Sequence, residues 1–71
     1  MIVHNQALRS LELFKAACHA KTTADVAMHN FSIHCQRQEW TSAEELRVTA
    51  VGAFESFLDN LAAAHRALAD E

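Results

Sequence analysis

Apolar residues recur through the first half of the chain at intervals of three and four, with Leu13, Ala17, Ala20, Ala24, Ala27, Phe31 and Cys35 holding one phase over about six turns. That persistence predicts one long helix over roughly residues 3 to 37. A polar stretch cuts across it, Lys21-Thr22-Thr23-Ala24-Asp25, in which Lys21 could close one helix while Thr22 and Asp25 cap another. A three-helix form with a break near 21–23 therefore stands beside the two-helix form.

The second half has a clearer start. Thr41 with Glu44 and Ser42 with Glu45 have capping-box spacing, in which a hydroxyl and a carboxylate each satisfy an orphaned backbone N–H. At about 100° per residue, Ala43, Leu46, Ala50, Phe54, Phe57, Leu58, Leu61, His65 and Leu68 share a face, and Glu45, Thr49, Gly52, Ser56, Asp59 and Asp70 lie opposite. A helix over roughly 42 to 69 follows. The link Gln36–Trp40 is short enough to make the two long helices antiparallel neighbours. The fold class predicted is all-α, an antiparallel helical hairpin forming a single domain over residues 1–71.

The first helix also carries a second apolar row, Ala7, Leu11, Phe14 and Cys18, turned about 100–160° from the first. One partner helix covers one side, so a lone hairpin leaves this row in water. The pattern predicts dimerisation into a four-helix bundle, with Ala17, Ala20, Ala24 and Ala27 permitting close helix approach. Length argues the same way: a 71-residue chain is in the range where one core supplies only about 3–5 kcal/mol.

Composition narrows the alternatives. One glycine and no proline leave little material for tight turns, and no run alternates β-branched or aromatic residues with polar ones, so strands are not expected. Hydrophobic residues at 51% and charged residues at 21% indicate a folding chain rather than a disordered one. The formal net charge of −3, with Arg9, Lys15, Lys21, Arg37, Arg47 and Arg66 scattered, argues against nucleic acid as the partner. No export signal or membrane-length apolar run is read in the sequence, which points to the cytoplasm. Cys18 and Cys35 would stand about 25 Å apart on one helix, too far for a disulfide, and are expected as buried, reduced thiols.

Little chemistry emerges. Asp25, His29, His34 and Cys35 are the nearest approach to a metal-ligand set, but His29 and His34 are turned about 140° apart on a helix and no C-x-x-C or H-E-x-x-H is present. Neither metal nor any other cofactor is expected. Glu12, Glu44, Glu45 and Glu55 lack the histidine three residues on that di-iron bundles use. Cys18-His19 and His34-Cys35 are sequence neighbours that face different sides of a helix, so an oriented nucleophile pair is not formed. So small a chain also leaves little room for a pocket of about 300 Å3 or more, and no enzyme is expected.

The remaining candidates are contact residues. Trp40 near the hairpin tip either packs over Leu46 as a staple or stands out as an anchor for a partner. His65 is expected at an interface, its ring hydrogen-bonded. The partner-binding set is Leu11, Phe14, Trp40, Glu44, Glu55 and Asp59. Secretion co-chaperones, plasmid copy-control RNA-binding hairpins and phage-encoded inhibitors share this size and architecture, but no residue motif ties the chain to any of them. The function expected is a small non-enzymatic regulatory or inhibitory module acting by protein–protein contact. Its partners would be a second copy, as dimer or higher, and a second protein with a basic surface, without membrane. An RNA- or DNA-binding hairpin dimer and a metal or small-ligand binder are the alternatives.

Overall fold

A computed structural model describes the backbone of residues 2–69 and the side chains from residue 7 to 69. Asp70, placed by periodicity on the polar side of the second helix, lies outside the described residues. Two helices, α1 (Ile2–Gln36) and α2 (Trp40–Ala69), pack along their lengths as an antiparallel hairpin whose Cα envelope measures 55 × 13 × 11 Å.

The first helix runs unbroken through the polar stretch that suggested a third helix. Each polar group there is satisfied within the helix. Thr22 and Thr23 donate their hydroxyls back to the carbonyls of Cys18 and His19, at 3.1 and 3.2 Å, and Lys21 pairs with Asp25 one turn on at 2.9 Å. A threonine bonded to the carbonyl four residues earlier no longer competes with the helix for its backbone, so no break is needed.

The connection is compact. The amide of Gln38 donates to the Cys35 carbonyl at 3.1 Å and that of Glu39 to the His34 carbonyl at 2.9 Å, the paired bonds of a Schellman motif. This motif needs a left-handed residue at its turning point, and Gln38 takes it with φ of 59°. The carbonyl of Glu39 accepts from Ala43, so Glu39 ends one helix and begins the next. Its carboxylate also reaches back to His34 Nδ1 at 2.9 Å, bracing the turn. The second helix thus starts at Trp40, one residue ahead of those read as capping boxes. Thr41 and Ser42 already lie in its first turn, and Glu44 is turned to Arg47, Oε2 accepting from Nε at 2.9 Å.

Between the helices the seam is made of small residues. Ser10, Ala17, Ala20, Ala24 and Ala27 of α1 are buried, as are Ala43, Ala50 and Ala64 of α2. These positions, with half-buried Leu13, Phe31, Leu46, Ala53, Phe57, Asn60 and Ala67, recur every seven residues in two series per helix, as in a coiled-coil seam. Ser10 fixes the register by donating its hydroxyl to the Ala64 carbonyl at 2.8 Å. Steps of seven from that bond bring Ala17 level with Phe57, Ala24 with Ala50 and Phe31 with Ala43. The helices therefore meet small on small at Ala24–Ala50, and Ala24 is 0% exposed.

The buried stripe of α1 is the one its periodicity marks, except that Leu13, Phe31 and Cys35 are half-buried rather than enclosed. In α2 the single broad face divides. Ala43, Leu46, Ala50 and Phe57 turn to α1, whereas Phe54, Leu58, Leu61, His65 and Leu68 stay exposed on one side. An alanine seam holds the helices too close for large side chains along its whole length, so most of them are displaced outward. The cysteines also differ from expectation: Cys18 is exposed and Cys35 half-buried, both as free thiols.

Candidate interaction surface

In an antiparallel pair of heptad-based helices, the positions flanking the seam on one side of α1 meet those on the same side of α2. On one flank these are Ala7, Leu11, Phe14, Cys18, Lys21, Asp25 and Met28 from α1, with Glu44, Arg47, Val51, Phe54, Leu58, Leu61, His65 and Leu68 from α2. The opposite flank carries Arg9, Glu12, His19, Thr23, Asn30, Thr49, Gly52, Ser56, Asp59 and Arg66, with exposed Val26 and half-buried Ile33 as large apolar exceptions. Of the twelve large apolar residues left exposed among the described residues, eight lie on the first flank, which makes the hairpin two-faced.

Two open grooves run along this apolar flank. The one nearer the chain ends has a volume of about 740 Å3, and Leu11, Phe14, Leu58, Leu61 and Leu68 line it, with His65 at its rim. The one nearer the turn, about 550 Å3, is formed by Met28, Phe31, Val51 and Phe54 with Arg47 and Glu55. Both exceed the volume that the chain length seemed to allow, because they lie open along the flank rather than enclosed between the helices. Phe54 and Phe57 stack at a tilt, centroids 5.7 Å apart, linking the flank to the seam.

Apart from Glu55 at the groove near the turn, the formal charges on this flank are balanced inside the chain. Lys21 is paired with Asp25 and Arg47 with Glu44. Both partners of the second pair are fully exposed, and the Arg47 guanidinium, by hydrogen bond and by charge, holds the Glu44 carboxyl below its usual range. The formal net charge of −3 is therefore carried by residues other than these four.

The six residues expected to bind a partner are not gathered in one place. Leu11 and Phe14 lie together in the groove near the chain ends, and Glu55 borders the groove near the turn. Glu44 is on the same flank but engaged by Arg47. Asp59 is on the opposite flank, and Trp40 stands at the turn, 64% exposed rather than packed down as a staple. The larger part of the apolar flank, Met28, Val51, Phe54, Leu58, Leu61 and Leu68, was not singled out by the sequence as a contact surface.

Among the described residues, no three of His, Cys, Asp and Glu are grouped so as to hold a metal ion. Of the four nearest candidates, Asp25 is taken by Lys21 and His34 by Glu39. No described helix is long and apolar enough to cross a membrane. No protein-family model, curated protein or solved structure matches this chain.

Proposed function

We propose that this chain is a non-enzymatic regulatory or inhibitory module of the cytoplasm, acting by protein–protein contact both with itself and with a second protein. The observation that carries this reading is the division of the hairpin into an apolar flank and a polar flank. A surface that keeps Phe14, Phe54, Leu58 and Leu68 in water has an unfavourable free energy that contact with another protein removes. The second protein is proposed to engage the tip and acidic residues beside and beyond the apolar flank, with Trp40 as anchor and Glu55, at the border of that flank, and Asp59, on the opposite one, facing a basic surface. Two free thiols accord with a reducing compartment.

The test is affinity capture from the native host, with two sets of variants compared for the same captured protein. Glu44 and Arg47 are left unchanged because each neutralises the other. Charge reversal at Glu55 and Asp59, or Trp40→Ala, should abolish capture, while reversal at Arg9, Lys15 and Arg37 should leave it intact. The inverse result, with capture depending on the basic set and sensitive to nuclease, would replace this reading with nucleic-acid binding.

A further inference from the structure

We infer that the apolar flank is closed by a second copy of this chain, two hairpins laying their Leu11–Phe14 and Val51–Leu68 surfaces face to face as a four-helix bundle. The inference deepens the interaction-module reading and rests on it, by naming the surface and its occupant. Three observations converge on a second copy rather than a foreign partner.

The first is area. The chain exposes 5267 Å2, whereas a compact monomer of 7.9 kDa exposes about 4,400 Å2. The surplus, roughly 850 Å2, is close to the ~800 Å2 that each partner buries in a standard stable interface. The second is charge. A self-complementary surface has to avoid setting like charges against each other across its two-fold axis. On this flank Lys21 and Asp25, and Arg47 and Glu44, are already neutralised within the chain, so a copy meets a single unbalanced carboxylate, Glu55, at the groove near the turn. A strongly acidic partner would find nothing of opposite sign to bind, and a strongly basic one only the Glu55 carboxylate. The third is extent. The flank follows the full length of a 55 Å rod, with a groove toward each end, and a second rod of the same length covers both.

The seam explains why the second copy is needed. With small residues forming the closest contact between α1 and α2, and Leu13, Phe31, Leu46 and Phe57 half-buried beside them, the other large side chains can leave water only outside the hairpin. Stacking two apolar flanks places Phe14, Phe54, Leu58 and Leu61 at the centre of four helices and keeps Glu12, Asp59 and Arg66 outward.

Sedimentation equilibrium of the full chain at micromolar concentration should give twice the 7.9 kDa mass. Leu58→Glu buries a carboxylate among apolar groups and should return the mass to one chain. Val26→Glu, at an equally open site on the polar flank, should remain a dimer. Because Leu58→Glu could also unfold the hairpin, wild-type protein supplies a second measurement. Maleimide modification of Cys18, read by mass on its own peptide, should slow about tenfold as concentration rises through the dimerisation midpoint. A one-chain mass throughout, a modification rate independent of concentration, or a dimer lost in Val26→Glu and kept in Leu58→Glu would overturn the proposal. If such a monomer still captured a second protein through Trp40, Glu55 and Asp59, the interaction-module reading would stand while the second copy fell. A dimer that captured nothing would separate the two the other way.

Discussion

Where its helices touch most closely, the hairpin uses mainly alanine, with a few larger residues only half-buried; on one flank, where they do not touch, it displays phenylalanine, leucine and valine. The usual order of a small core, with large apolar groups inside and small ones at the margin, is reversed. The difference teaches where the free energy lies. Burying a large apolar side chain contributes about 1.5–3 kcal/mol and burying an alanine far less, so the seam sets geometry while the flank holds most of the unrealised hydrophobic stabilisation. A close-packed alanine seam is sensitive to added volume. An open flank is sensitive to added charge, and only when something covers it.

The sharpest way to break this comparison is to exchange the two kinds of position. Ala24 is 0% exposed and level with Ala50, so Ala24→Leu has no space to enter and must push the helices apart. It should cost about 3 kcal/mol, comparable with the whole stability available to so small a chain. Thermal unfolding followed by circular dichroism should show the cooperative transition lost or shifted far down. Leu58→Ala should cost under about 1 kcal/mol in any state where the flank is open, and more once it is covered. Equal costs for the two at low concentration would remove the distinction between seam and flank.

The two regions were unequally legible in the sequence. The first seam series could be read directly, because Ala17, Ala20, Ala24 and Ala27 hold one phase and nothing larger competes for it. The division of α2 could not. Phe54 and Leu58 lie within one turn of Phe57, and periodicity alone does not say which of them faces α1. That depends on how closely α1 approaches, which its alanines decide from the other side of the seam. The alternative break near Thr22 is absent for a local reason: threonine hydroxyls cap helices or bond back within them with similar ease, and the choice rests on surroundings that a spacing rule does not contain. Ser10 gave no signal at all, since a serine matters to register only if a carbonyl lies opposite.

That serine offers the next measurement. Its hydroxyl donates to the Ala64 carbonyl at 2.8 Å and is the described side-chain bond that joins the two helices. Ser10→Ala keeps the seam's size and removes the bond, for an expected loss of about 1 kcal/mol. Alanine's better helix propensity returns a few tenths of that. A loss much larger than this, with the helical content unchanged, would mean that register in an alanine seam depends on one polar bond rather than on side-chain volume.

Glycine is used in an inverse way. Gln38 occupies the left-handed position of the turn, where glycine carries no steric penalty, while Gly52 sits within α2 where a Cβ would meet nothing within 4 Å beyond its chain neighbours and the helix's own backbone. Gln38→Gly and Gly52→Ala should each raise stability by about 0.5–1 kcal/mol in denaturant unfolding. Neither touches the seam, so their effects should add to each other and to Ser10→Ala. Failure of Gly52→Ala to stabilise would mean that the polar flank is covered at that point in solution.

The smallest expected effect lies on the flank and depends on pH. Arg47 holds the Glu44 carboxyl below its usual range when the chain is folded, mainly through their hydrogen bond. For a carboxyl whose folded pKa is depressed, the native state binds fewer protons than the unfolded state within the window between the two values. The stabilisation from this pair is therefore fully present above the ordinary glutamate value of about 4.3 and fades as pH falls through the depressed one. Both side chains are fully exposed, so the contribution is small and salt should erase it. Melting temperatures of wild type and Glu44→Gln, compared at low ionic strength, should differ near neutral pH and converge in acid, with the gap closing when salt is added. Under the same titration the penalty of Ala24→Leu should stay constant, because nothing in an alanine seam takes up a proton. A seam penalty that followed pH would show the two regions to be coupled, and a Glu44 gap that survived high salt would place that pair in a covered interface rather than in water.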